Sequence, residues 1–281
     1  MSEQVAVEKM DAIIRFAPQG SLIELSPRFQ GSVFNRVPRG EVSSFSVRSR
    51  SRLNKKIAML SRGVLPYFVT LTYHAKMPSD FTGYKYQLHH FMISFFRRFP
   101  NAGVIWKLEF QKRGAPHYHL FVWGVSLQDL RAFIPQTWHK IAGYRSKYHL
   151  EWHQGKLGNE HCVQSIRSWN GVLSYAGKYF AKLDDTKNRG GRVWGVRGLV
   201  PFSKILEFRV SLEVALEFRQ TLIEERNYQF QRLGFWTFDY STAWLSFLHD
   251  LNLSEYVSQN PPDDPPDWEL YVDCDFEEII L

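Results

Sequence analysis

Gly103-Val-Ile-Trp-Lys-Leu-Glu-Phe-Gln111, then Lys-Arg-Gly-Ala, then Pro116-His-Tyr-His-Leu-Phe-Val-Trp-Gly124 is the stretch that sets the fold. Both long runs are rich in β-branched and aromatic residues, and the polar, glycine-containing link between them suits a hairpin turn. Alternate side chains of a strand share a face, so His117 and His119 point one way while Tyr118, Leu120 and Val122 point the other. In the first strand the same rule separates apolar Val104, Trp106, Leu108 and Phe110 from Ile105, Lys107, Glu109 and Gln111. If Gln111 lies opposite Ala115, Glu109 falls directly across from His117 and on its face. Two imidazoles and one carboxylate then meet on the open side of a sheet, with positions left for water and a phosphate oxygen, which suits Mg²⁺ or Mn²⁺. A His-x-His pair taken alone is more often a solvated surface pair. The aligned glutamate and the rest of the chain turn the reading toward a metal site.

Working outward, Pro66-Tyr-Phe-Val-Thr-Leu-Thr-Tyr-His74 reads as a strand, and a helical pattern from Tyr84 to Phe99 ends at Pro100. Beyond the hairpin come a helix near 127–142, an aromatic strand around Tyr148–His153, a strand near Cys162–Arg167 and a helix from about Ser168 to Lys182. Glu207–Leu212 reads as an edge or closing strand and Glu213–Leu233 as a long helix. Residues 1–45 show no sustained period and read as an arm. Ser46 to Lys56, dense in Arg and Lys, reads as a helix with a positive face that either grips a DNA backbone or is simply solvated.

Ser174-Tyr-Ala-Gly-Lys-Tyr-Phe-Ala-Lys182 sets Tyr175 and Tyr179 four residues apart, on one face of a helix. A phenol is a poor nucleophile at its usual pKa of about 10 and needs a nearby cation or metal to favour phenolate. Lys178, beside Tyr179 and three residues from Tyr175, suits that role. The same spacing also serves a tyrosine pair packed against a sheet.

Composition agrees with a nucleic-acid partner. From Asp239 onward the chain holds eleven acidic residues and no Lys or Arg; before it stand 35 Lys and Arg against 17 Asp and Glu, a formal +18. A basic body with 16% aromatic residues suits a polyanion that offers phosphates and flat bases. A solvated basic surface over an aromatic core would have the same composition. Cys162 and Cys274 alone suggest neither a disulfide framework nor a cysteine zinc site. There is no charged-then-apolar leader and no apolar run of about eighteen residues, so a cytosolic location without membrane contact is expected.

Together these residues resemble the HUH endonuclease superfamily, in which a histidine-hydrophobic-histidine strand holds the metal and a tyrosine on a later helix forms a phosphotyrosine bond. Phe68-Val-Thr-Leu-Thr-Tyr73 resembles the first motif of replication initiators, Pro116-His-Tyr-His-Leu120 the second and Tyr175-Ala-Gly-Lys-Tyr179 the third. Glu109 matches the third ligand of many viral initiators, and the paired tyrosines resemble the two-tyrosine branch that includes gene A-type phage proteins. The resemblance covers roughly residues 66–200, including Gly191 to Gly198. It implies an α+β fold with a central antiparallel sheet of about five strands flanked by helices. It implies a rolling-circle initiator that nicks and rejoins single-stranded DNA at a replication origin, with Glu109, His117 and His119 on Mg²⁺ or Mn²⁺, Tyr175 attacking first, Tyr179 making a second transfer and Lys178 stabilising charge. A transposase of the same chemistry and a non-catalytic single-strand-binding protein are the alternatives.

Candidates for contact with splayed bases are Arg113, Trp123, Trp152 and Arg197, with Trp106 read mainly as core. No Gly-x-x-x-x-Gly-Lys-Ser/Thr loop is present, so unwinding is expected from a host helicase and synthesis from a host polymerase. The division expected is 1–65 as arm and basic segment, 66–235 as endonuclease domain and 236–281 as an acidic extension, read as a solvated tail.

Overall fold

The computed structural model describes residues 11–17, 22–27, 45, 47–74, 76–180, 192–211, 213, 214, 217 and 235–237. In chain order these form β1 (Asp11–Phe16), β2 (Leu22–Pro27), α1 (Val47–Ala58), β3 (Tyr67–Thr72), α2 (Phe81–Arg98), β4 (Gly103–Phe110), β5 (Pro116–Trp123), α3 (Leu127–Ala142), α4 (Lys147–His153), β6 (Val163–Ser165), α5 (Trp169–Tyr175), a π-helical turn (Ala176–Phe180), β7 (Trp194–Gly198), β8 (Leu206–Ser211) and β9 (Phe235–Thr237). They fall into two compact units, one holding Ser61–Pro201 with most of α1, the other holding β1, β2, Ala58–Leu60, β8 and β9.

The larger unit is an α+β fold built on a five-stranded antiparallel sheet of order β6-β3-β5-β4-β7. The hairpin at its centre closes as expected: Gln111 N–H donates to Ala115 O at 2.9 Å and Glu109 stands opposite His117. Gly114 in this turn has φ +78°, and a Cβ there would meet nothing within 4 Å, so backbone conformation and not space calls for glycine. On one face of the sheet Tyr73, Tyr118 and Leu120 pack under α2 and α3, where Trp138 makes edge contacts with Tyr73, Phe91 and Tyr118. Each of these helices starts on a side-chain cap, Asp80 accepting from Gly83 N and Ser126 from Asp129 N. The other face carries Phe68, His117, His119 and Phe121 and is covered by α5 and the π turn, with Phe180 stacked on Phe121 at 4.7 Å.

Four expectations change. The stretch read as an arm contains β1 and β2, which join β8 and β9 in a four-stranded antiparallel sheet of order β8-β1-β2-β9. Their short runs, six residues each, pair with strands distant in sequence, and no local period reveals that. In this unit Ala17, Ala58 and Met59 form a small core with Phe202 and Ile205. Tyr148–His153 is not a strand but part of α4: its aromatic residues suggested β structure, but Ser146 caps a helix by accepting from His149 N, and His149 and His153 recur at helical spacing on the buried side. The tyrosine helix changes pitch after Tyr175 into the π turn. Residues 191–198, noted only as a motif, supply β7, which extends the sheet beside β4; Gly195 lies there against the Trp106 indole, where a Cβ would come within 2.7 Å of Nε1.

Glu207–Leu212 is realised as β8, at the edge of its sheet. The expected helix 213–233 lies largely outside the described residues, and the acidic extension lies wholly outside them apart from residues 236 and 237.

Trp138 is fully buried, and its indole N–H donates to Thr72 O at 3.0 Å. Trp138→Ala is expected to lower unfolding free energy by about 3–5 kcal/mol, from lost burial and the cavity left behind, measurable as a shifted midpoint in a denaturant titration.

Candidate functional site

Three strands set the site in rows. Thr72 of β3, His117 of β5 and Glu109 of β4 are cross-strand partners; Thr70, His119 and Lys107 form the next row on the same face. His119 Nε2 and Glu109 Oε2 are 3.1 Å apart, and the His117 and His119 rings lie 4.5 Å apart. His117 Nε2 and His119 Nδ1 are buried without a hydrogen-bond partner. Burial holds His117 down to about 3, with His119 adding to the fall and Glu109 opposing it. His119 is likewise lowered by burial against the pull of its Glu109 bond. Both imidazoles are therefore neutral near pH 7, the form that offers a lone pair to a cation.

Glu109, His117 and His119 fit a divalent ion by donor chemistry: one carboxylate, two neutral imidazoles and an orphaned, buried Nε2. They are not a finished cage, since Glu109 engages His119, and among the described residues no three His, Cys, Asp or Glu side chains are already drawn together to hold an ion. Lys107 shares the face but is buried, its Nζ donating to Leu108 O at 2.6 Å and lying 4.3 Å from the Phe45 ring.

Above this face stands the tyrosine segment. The Tyr179 ring lies 4.2 Å from the His119 ring, and both Tyr179 and Tyr175 rest on Phe68, at 5.1 and 4.4 Å. The two phenol rings are near-parallel, 5.9 Å apart. Tyr175 Oη donates to Gln164 Oε1 at 3.0 Å, and its pKa is raised, first by burial and then by Glu160 and Tyr179, with Lys178 pulling the other way. Lys178 is exposed, with Nζ 4.9 Å from the Tyr179 ring centroid; its pKa is raised chiefly by a hydrogen bond to Tyr179.

Of the expected base contacts, Arg113 sits on the β4–β5 turn, donating to Gln111 Oε1 at 2.9 Å and to the carbonyls of Tyr73 and His74. Trp152 lies on α4, 4.9 Å from the His74 ring. Both are near the Glu109 end of the sheet. Trp123 and Arg197 are not: they flank Gly103, at about 3.4 Å per residue roughly 20 Å along β4 from Glu109. Trp123 is only 3% exposed and donates to Val64 O, while Arg197 lies 4.7 Å over the Phe96 ring. Trp106 is core, as read.

Sequence reasoning missed Gln164, which holds Tyr175, and the pair His149 and His153. His149 Nε2 donates to Thr72 O at 3.1 Å, and Thr72 N–H donates to His153 Nε2 at 3.3 Å. Their four-residue spacing was a visible signal, obscured by reading that segment as a strand.

The fold and this geometry have a counterpart among known proteins. Residues 66–184 match a family model of replication-associated proteins, the ORF2 type, and the match supports a role as a replication initiator with DNA as partner. Glu109, His117, His119, Tyr175, Lys178 and Tyr179 all lie within the matched segment. No curated protein and no solved structure matches the chain. Among the described residues no helix is long and apolar enough to cross a membrane.

Burial lowers His149 to about 4 and His153 to about 3. As pH falls, the unfolded chain takes up protons near 6.5, well before the folded chain does, so stability present above 6.5 is lost on the way down. Denaturant midpoints in EDTA should fall between pH 7 and pH 5, and a His149→Gln/His153→Gln variant, though less stable at pH 7, should show a shallower fall; an unchanged slope would exclude these two as contributors.

Proposed function

We propose that this chain is a rolling-circle replication initiator that nicks and rejoins single-stranded DNA through a tyrosine-linked 5′ phosphate. The observation that carries this reading is the seating of Tyr179 beside His119, over the row of Glu109 and His117, inside the segment that matches a replication-protein family. Glu109, His117 and His119 would hold a divalent ion, Mg²⁺ or Mn²⁺, which when bound polarises a phosphate oxygen. A tyrosine oxygen bonds to phosphorus as the bond to the 3′ oxygen breaks; the phenol proton ends on that oxygen, and the freed 3′ hydroxyl primes synthesis by a host polymerase behind a host helicase. Lys178, hydrogen-bonded to Tyr179, stabilises phenolate character there.

The placement favours Tyr179 as the first attacker, reversing the order expected from the Tyr-x-x-Lys pattern. Tyr175, one turn back with its hydroxyl on Gln164, suits the second transfer.

The test mixes the full chain with labelled single strands spanning the origin of its own replicon, in Mg²⁺, Mn²⁺ or EDTA, and looks for a protein–DNA adduct on a denaturing gel. A metal-dependent adduct is expected, lost in Tyr175→Phe/Tyr179→Phe and, for the first cleavage, in Tyr179→Phe alone. Glu109→Ala or His117→Ala should slow adduct formation about 100-fold or more, the scale of a lost Lewis acid. Tight binding with no adduct on any strand would replace the nuclease with a binding protein.

A further inference from the structure

A cleft of about 540 Å³ opens at the end of β3, next to the Thr72–His117–Glu109 row. Its floor is Thr72, Tyr73 and His74; one wall is Gln111 and Arg113 from the β4–β5 turn; the other is Ser146, Tyr148 and Trp152 from the start and body of α4. We propose that this cleft takes one unstacked nucleobase of the single strand, next to the scissile phosphate, and so helps select the nick sequence; this rests on the nuclease reading above.

Three observations carry it. Tyr148, 55% exposed, and Trp152 both stand edge-on to His74, at 5.2 and 4.9 Å, and so offer ring surface with little freedom to collapse. The polar groups opposite them are fixed before any ligand arrives. Arg113 is tied to Gln111 Oε1 and to two main-chain carbonyls, and the Gln111 amide donates to Thr72 Oγ1 at 3.3 Å. A stacking wall facing an amide and a guanidinium matches a base, which has a flat face and a donor and acceptor edge. Lastly, the turn leading into α4 holds two successive non-glycine residues in the left-handed region, Tyr144 (φ 48°) and Arg145 (φ 61°). Such backbone costs on the order of 1 kcal/mol or more per residue and persists where surrounding structure requires it, here where the chain presents Ser146 and Tyr148 to the cleft.

The charge of Arg113 and the shared Thr72 decide the occupant. A strand whose phosphate lies over His117 passes the mouth of this cleft, and its neighbouring base is the nearest flat group available to fill it.

The experiment measures fluorescence anisotropy of end-labelled oligo-dT, oligo-dA, oligo-dC and an abasic strand of equal length with the full chain in EDTA. Wild type should bind one homopolymer tightest and the abasic strand weakest. Tyr148→Ala and Trp152→Ala should each weaken the preferred homopolymer by about 5- to 100-fold, the range for one lost base stack. They should barely change the abasic strand, and Gln111→Leu should narrow the spread among homopolymers. Exposed Tyr148 keeps the test available if Trp152→Ala does not fold. Variants that bind every strand as wild type does, or a wild type blind to missing bases, overturn the proposal. The adduct gel reads the nuclease separately: base-dependent binding without adduct leaves the cleft and removes the chemistry, whereas an adduct without base dependence removes the cleft alone.

Discussion

Glu109, His117 and Thr72 stand in one row across three antiparallel strands, and Lys107, His119 and Thr70 in the next, because the pairing of β3, β5 and β4 runs unbroken from end to end. A strand repeats every two residues, so a slip of one would turn both imidazoles toward α2 and α3 and bring Tyr118 and Leu120 out in their place. The core forbids that slip. Tyr118 and Leu120 are essentially fully buried, and burying a side chain such as Leu120 is worth about 1.5–3 kcal/mol. The apolar face of the hairpin thus specifies where the polar face carries its ligand atoms.

The end of β3 poses a second problem. The edge strand β6 pairs with β3 over Tyr67–Val69, and Cys162 O takes the N–H of Thr70, so Thr72 is left with buried main-chain groups and no strand beside it on that side. Such groups are costly unless paired. His153 accepts the N–H, His149 donates to the carbonyl, and Trp138 donates to the same oxygen from the core side. One further residue along, Arg113 takes the carbonyls of Tyr73 and His74. Side chains from two helices and a hairpin turn thereby do the work of a missing strand, and Thr72 stays in register with His117. Burial keeps these histidines neutral, as it does His117 and His119, so the region carries imidazole lone pairs and little imidazolium charge.

How much of this was legible follows from the range of each interaction. The hairpin, its register and the glutamate opposite His117 were readable because a short polar turn and period-two alternation are local signals. The tyrosine pair was readable from spacing. Segment Tyr148–His153 was misread because aromatic content points to strand, while what decides the matter is a serine cap and two histidines whose partner, Thr72, lies far away in sequence. β1 and β2 escaped for a related reason: six-residue strands that find their neighbours in β8 and β9 leave no period behind. Trp123 shows the converse error. Its aromatic ring invited a base-stacking role, but its strand position seats it in the interior at the far end of the sheet.

The tyrosine segment brings these constraints together. A π turn is wider than an α turn, so successive residues diverge less in angle, and adjacent Tyr179 and Phe180 both reach the sheet. Phe180 stacks on Phe121, Tyr179 on Phe68 and close to His119, and Tyr175 completes the stack on Phe68. This stacking positions the phenols, but the burial that comes with it raises the pKa of Tyr175, which opposes ionisation. Placement and activation are therefore supplied by different groups: aromatic packing fixes where the oxygens lie, and Lys178, exposed and tied to Tyr179, brings the positive charge. That division explains why the cation can sit at the surface. Its contribution is electrostatic and short-ranged, whereas the geometry, on which proximity effects depend steeply, is held by the buried rings beneath it.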